Sequence, residues 1–155
     1  MRITWGATVF ALAVVVAGAG SHMTSVHAAG QAPAANITVE SFPALMKTIS
    51  STQTSLRAKM KENNLADAAK DAQIIATTFG DVEKFFASRS KADAVKWSQE
   101  GRASATAVAG ALAAGDAMKA NTELGNMAGS CKQCHGTYRD GGPQAGGYKF
   151  KDGSI

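Results

Sequence analysis

The chain has 155 residues, of which 45% are hydrophobic and 18% charged, with a formal net charge of +4. That is enough apolar material for one domain with a packed core. The positive excess is too small and too evenly spread to suggest nucleic-acid binding, and it says little about any other partner.

The first 28 residues differ from the rest. Arg2 precedes an apolar stretch from Ile3 to Ala19, and a small-residue segment ends in Val26-His27-Ala28. A basic start, an apolar middle and a small-x-Ala end describe a secretory signal peptide, cleaved after Ala28. The alternative is an uncleaved membrane anchor, but the stretch is about the minimum spanning length and Thr4, Gly6 and Thr8 dilute it. Cleavage would release the mature chain outside the cytoplasm. Losing Arg2 leaves a net charge of +3. Residues 29 to 40, rich in Ala, Gln, Pro and Asn, form a flexible lead-in.

Four helical segments follow within residues 41–140. The first runs from Phe42 to about Glu62, with Ser41 as N-cap and Pro43 tolerated in the first turn. Phe42, Leu45, Met46, Ile49, Leu56 and Met60 recur at helical spacing and mark its buried face. Asn63-Asn64 is a short connection. The second helix starts near Leu65 and passes Ile74, Ile75 and Phe79, with a break expected at Gly80 before Val82, Phe85 and Phe86. Ser88 to Ser90 form the next break, with Ser90 as cap of the third helix. That helix carries Val95, Trp97, Val108 and Leu112 and stops at Gly115. Asp116 caps the fourth helix, which carries Met118 and Leu124 and ends near Arg139. Gly141 to Ile155 reads as a flexible, Gly-rich tail. Short connections favour an all-α, up-down-up-down four-helix bundle, and the alanines between Ala103 and Ala114 suit closely approaching backbones.

Both cysteines of the chain lie in Cys131-Lys132-Gln133-Cys134-His135. Cys-x-x-Cys-His is the attachment signature for c-type haem. On a helix the two thiols lie one turn apart and His135 follows Cys131 by four residues on the same face, so both sulfurs can form thioethers while the imidazole meets iron. A disulfide across so small a loop would gain little unfolded-state entropy. A thioredoxin-like dithiol belongs at a helix start after a strand, whereas this motif ends a helix. Structural zinc needs four ligands, and the mature chain offers two cysteines and one histidine. Chance occurrence of a five-residue pattern is the remaining alternative.

His22 and His27 lie in the leader, so after cleavage His135 is the only histidine and bis-histidine ligation within one chain is excluded. In an up-down bundle the start of the first helix and the end of the fourth share one end. Met46 sits level with His135 there, whereas Met60 is about 21 Å further along the axis at ~1.5 Å per residue. Met118 and Met127 share a helix with His135 and cannot reach the opposite haem face. Met46 is therefore the candidate distal ligand, against the alternative that it is ordinary core. Phe42, Phe79, Phe85, Phe86, Trp97 and Tyr138 are expected at the same end, as haem walls or as plain core.

The run Gly129-Ser130-Cys131-Lys132-Gln133-Cys134-His135-Gly136-Thr137-Tyr138-Arg139, at the end of a four-helix chain, resembles the class II c-type cytochromes, the cytochrome c prime family. Ala114 to Asp116, Trp97 and Leu45-Met46-Lys47 add weaker likeness, so that the resemblance spans about Phe42 to Asp140. It implies one covalent haem c at one end of the bundle, a periplasmic location, frequent homodimers, and Arg139 as the basic residue near the proximal histidine. It also implies two ligation styles, a six-coordinate carrier with methionine on iron, or a five-coordinate protein that binds NO or CO. Family members often carry Arg four residues before the distal position, where this chain has Phe42. The sequence thus predicts a one-electron carrier serving redox partner proteins, with gas binding as the alternative. A third possibility is a thiol- or metal-binding bundle without haem. No acid–base pair, phosphate loop or nucleophile constellation suggests an enzyme.

Overall fold

The computed structural model describes residues 36–142 and 147–155. The expected leader, and the lead-in up to residue 35, lie outside the described residues. Four helices make an all-α bundle: α1 (Phe42–Lys61), α2 (Leu65–Ala87), α3 (Ala92–Ala113) and α4 (Ala117–Tyr138). Each packs on its neighbour in sequence. Phe42, at the start of α1, meets Phe85 and Phe86 at the end of α2. Asp93, at the start of α3, is bonded to Tyr138 at the end of α4. Neighbouring helices are therefore antiparallel, and those four termini share one end.

Each helix is built around an apolar seam. Phe42, Ile49 and Leu56 recur every seven residues on α1, and Leu56 is fully buried. Facing them are Ala68, Ala72, Ile75, Val82 and Phe86 of α2, Ala105, Val108 and Leu112 of α3, and Ala120, Leu124 and Met127 of α4. Small residues bring α2 and α3 together: a Cβ on Gly101 would stand 2.8 Å from the Phe79 ring. Two buried hydroxyls, those of Ser98 and Thr78, donate to carbonyls four residues back and so need no other partner.

The three connections use one device. A residue in the left-handed region ends each helix: Asn63 (φ 58°), Ser90 (φ 56°) and Gly115 (φ 76°). After Gly115 the Asp116 N–H donates back to the Ala111 carbonyl and the Gly115 N–H to Leu112, which satisfies carbonyls that helix ends leave orphaned. Asn64 and Asp116 then cap the next helices through their side chains, accepting from the N–H groups of Asp67 and Lys119.

Several local expectations are corrected. Gly80 does not break α2, which continues from Leu65 to Ala87 because its apolar face continues through Val82, Phe85 and Phe86. Ser90 does not cap α3; it takes the left-handed turn, and Lys91 precedes the helix without a side-chain cap. At α1 the reciprocal bonds run between Thr38 and Ser41: the Thr38 N–H donates to Ser41 Oγ and the Ser41 N–H to Thr38 Oγ1. Ser41 is the N-cap by position, as expected, but its side chain bonds back to Thr38 and makes no cap bond to α1. The Gly-rich tail is not structureless. β1 (Arg139–Gly142) leads directly out of α4 and pairs antiparallel with β2 (Gly147–Phe150), placing Arg139 opposite Phe150. Phe150 and Ile155 pack on the core, which gives the hairpin its anchor.

Candidate functional site

The last two turns of α4 carry the motif. Cys131 and Cys134 are free, half-buried thiols that pack on the core, and His135 is also half-buried beside them. Burial pushes the Cys131 thiol up. Burial, and then the neighbouring Cys131 and Asp93, push Cys134 up to about 12. Both sulfurs are therefore protonated at neutral pH. A catalytic dithiol has the opposite environment, at a helix N-terminus whose dipole lowers the thiol pKa. Burial, with the Arg139 guanidinium contributing, lowers His135, so its imidazole is the neutral, metal-ligating form. Among the described residues no group of three or more His, Cys, Asp and Glu side chains converges on one point.

Around the motif the end of the bundle is aromatic. Phe86 lies 5.1 Å from Tyr138 and 5.1 Å from Phe85, and Phe42 lies 4.3 Å from Phe85, all as ring centroids. Trp97 meets Tyr138 edge-on at 6.4 Å. Five of the six aromatics expected at this end are there. Phe79 is not; two turns before Phe86, roughly 10 Å along α2, it packs on Gly101 instead. Tyr138 is 6% exposed, and its hydroxyl donates to Asp93 Oδ1 at 2.6 Å. That bond ties the start of α3 to the turn that follows His135.

Met46 lies one turn beyond Phe42 on α1, half-buried and packed on the core. Although α1 and α4 share the core, their backbones barely approach each other among the described residues. The helix of Met46 and the helix of His135 are thus the pair that side chains must bridge. Arg139 leaves α4 in extended conformation, exposed, with its guanidinium 4.4 Å from the centre of the Tyr148 ring. Met127 is buried in the middle of the bundle and Met118 is 81% exposed. A shallow groove lined by Lys70, Gln73, Ile74, Thr77 and Thr78 lies on α2 and shares no residue with the motif.

Three residues of this end were not singled out from sequence. Phe150 inserts its ring among Phe42, Phe85 and Phe86, at 4.9, 5.5 and 6.2 Å. Its signal was present, because Tyr148-Lys149-Phe150-Lys151 alternates after Gly146-Gly147 as a short strand does. Asp93 is the second, and only its place in the first turn of α3 hinted at a role. Arg89, whose guanidinium sits 3.7 Å over Phe85, is the third. Comparisons with protein-family models, with curated proteins and with solved structures gave no significant match.

The donor set suits covalent haem. Two neutral thiols and a neutral imidazole sit on consecutive turns of one helix, at the edge of an aromatic, apolar region. Two thiols and one imidazole are fewer than the four ligands of a structural zinc ion, and they match in type and spacing the donors of a covalently attached haem.

Proposed function

We propose that the chain is a periplasmic one-electron carrier of the class II c-type cytochrome kind, exported by its first 28 residues. Cys131 and Cys134 would each add S–H across a haem vinyl group, forming one C–S bond and passing the hydrogen to the other vinyl carbon, with nothing leaving. His135 would ligate iron, and Met46 is the candidate for its opposite face. Bound haem c supplies a one-electron iron couple, whose potential methionine–histidine ligation raises relative to harder ligands. The chain's own part is positional. The α4 helix fixes the spacing of the three donors, Tyr138 and Asp93 hold its last turn, and the aromatics keep water from the apolar edge.

One observation carries this reading: the two thiols and the imidazole are half-buried together at the aromatic end of the bundle that also receives Met46. Redox proteins are the partners that follow, and a homodimer is part of the proposal through the resemblance alone. The test is an absorption spectrum of purified, matured protein, oxidised and reduced, with and without CO. Low-spin ferric haem that changes in Met46→Ala is expected. An unchanged low-spin spectrum in that variant excludes methionine ligation. Rapid CO uptake by the reduced parent favours the five-coordinate gas-binding alternative. Mass spectrometry that finds no macrocycle on the Cys131–His135 peptide ends the haem reading.

A further inference from the structure

Asp93 stands in the first turn of α3, where Lys91 offers no side-chain cap. Its Oδ1 accepts from the Ala94 N–H at 2.8 Å and from the Tyr138 hydroxyl at 2.6 Å. Tyr138 follows Cys134 by four residues, so the two lie one turn apart on the same face of α4. One bond therefore holds a carboxylate against the helix face that carries the motif's second sulfur. That carboxylate is ionised at neutral pH, because the bond from Tyr138 holds its pKa below the ordinary 3.8. Six other carboxylates pair with lysine or arginine, whereas Asp93 forms no ion pair among the described residues. Its charge is left to act at a distance.

From this placement we infer that the fixed charge of Asp93 tunes the one-electron couple, holding its midpoint potential below the value the iron's ligands alone would set. The inference rests on the proposed haem reading and deepens it. The oxidised iron centre carries one more positive charge than the reduced one, so a nearby negative charge stabilises the oxidised form more. One electron enters from an external reductant; no bond forms or breaks and no proton moves, because the carboxylate stays ionised in both states. The plainer role of Asp93 is mechanical, an acid at a helix start that also fastens Tyr138. The two roles separate because charge and hydrogen bond can be removed one at a time. Asn keeps an oxygen that accepts from Tyr138 and loses the charge, whereas Tyr138→Phe loses the bond and keeps the charge.

The experiment is a spectroelectrochemical titration of the purified, haem-loaded full chain, with urea unfolding of each variant alongside. At an applied potential equal to the parent's midpoint, Asp93→Asn should raise the ratio of reduced to oxidised protein roughly fourfold, which is about 35 mV at ~59 mV per decade. Added salt should shrink that gap, since Asp93 is exposed and its field is screened. Asp93→Glu, which keeps the charge, should stay near the parent. Tyr138→Phe should also keep the parent's ratio while its urea midpoint falls. Glu62→Gln removes the same charge at the opposite end of the bundle and should leave the ratio unchanged. No shift in Asp93→Asn, an equal shift in Glu62→Gln, or a ratio that follows the urea midpoint instead of the charge overturns the inference. Should Asp93→Asn not fold, Asp93→Ser makes the same change of charge with a residue suited to helix starts. Failure of the haem reading would be visible separately, as protein without a haem absorption band.

Discussion

Tyr138→Phe isolates the bond that fastens the motif's last turn to α3. The substitution keeps the ring, and with it the contacts to Phe86 and Trp97, and removes only the hydroxyl that donates to Asp93 at 2.6 Å. A hydrogen bond to a charged acceptor contributes about 1.5–3 kcal/mol net. Asp93 is exposed and also accepts from the Ala94 N–H, so water and backbone recover part of the loss, and a destabilisation of about 1 kcal/mol is expected. Its pH dependence has a definite sign. The bond from Tyr138 holds the Asp93 carboxyl below its ordinary 3.8, so this stabilisation is present above that value and fades as pH falls through the lowered one. Burial first, and Asp93 second, push the Tyr138 hydroxyl from 10.0 up to about 12. On that side the stabilisation is complete below 10 and is lost as pH rises through about 12. Urea unfolding of parent and variant, followed by far-UV circular dichroism, should give a gap that is widest between about pH 5 and 9 and narrower at pH 2 to 3. A gap independent of pH, or none at neutral pH, would refute the reasoning.

Two further outcomes follow from packing. Gly110→Ala, where an added Cβ meets nothing within 4 Å, should stabilise the bundle by about 0.5–1 kcal/mol through helix propensity alone. Gly101→Ala brings the same propensity gain but drives a methyl to 2.8 Å from Phe79, and overpacking of about 1–3 kcal/mol should make it neutral to destabilising. Equal stabilisation of both variants in thermal melts would show that α2 and α3 do not approach as described. The Lys59–Asp71 pair joins α1 to α2 at 2.8 Å, with side-chain exposures of 31% and 9%. Lys59→Met strands a buried carboxylate and should cost about 2–4 kcal/mol, whereas Asp71→Asn leaves a lysine that can turn to water and should cost about 1 kcal/mol. Urea midpoints in the reverse order would contradict the burial of Asp71.

What the sequence disclosed and what it hid divide by distance along the chain. Helix seams such as Phe42, Ile49 and Leu56 repeat within one segment, and the caps at Asp116 and Gly115 are decided by their own neighbours, so both were legible. The motif was legible for the same reason, since its chemistry is fixed by a spacing of five residues. Gly80 misled because an intrinsic helix weakness of about 1 kcal/mol was set against tertiary packing that sequence alone does not weigh. Ser90 misled in the same manner, because a residue suited to capping was used instead for a left-handed turn. The hairpin was missed through composition: seven residues from Gly141 to Gly147 include four glycines, and that richness hid the alternation that follows. Asp93 and Phe150 belong to the site only through partners far away in sequence, Tyr138 in one case and Phe42 and Phe85 in the other. No local pattern could have paired them.

Topology explains why one short motif finds such surroundings. With an even number of antiparallel helices, the C-terminus of the last returns to the N-terminus of the first. An odd number would leave them apart by the length of a helix, about 30 Å for the 20 residues of α1. The fourth helix therefore delivers His135 to the end where Phe42 and Met46 begin α1, and the helix ends flanking the turn between α2 and α3 add Phe85, Phe86, Asp93 and Trp97. The hairpin then has only a short way to run before Phe150 reaches α1. A site assembled from the termini of all four helices also depends on every helix keeping its length. An insertion of one residue in the middle of α1 would rotate Phe42 and Met46 about 100° away from the core while leaving Cys131, Cys134 and His135 in place. The donors of the proposed cofactor and the side chains that would cover its far face are thus set by different parts of the sequence, which is why the spacing within α4 can specify attachment without specifying what closes the other side.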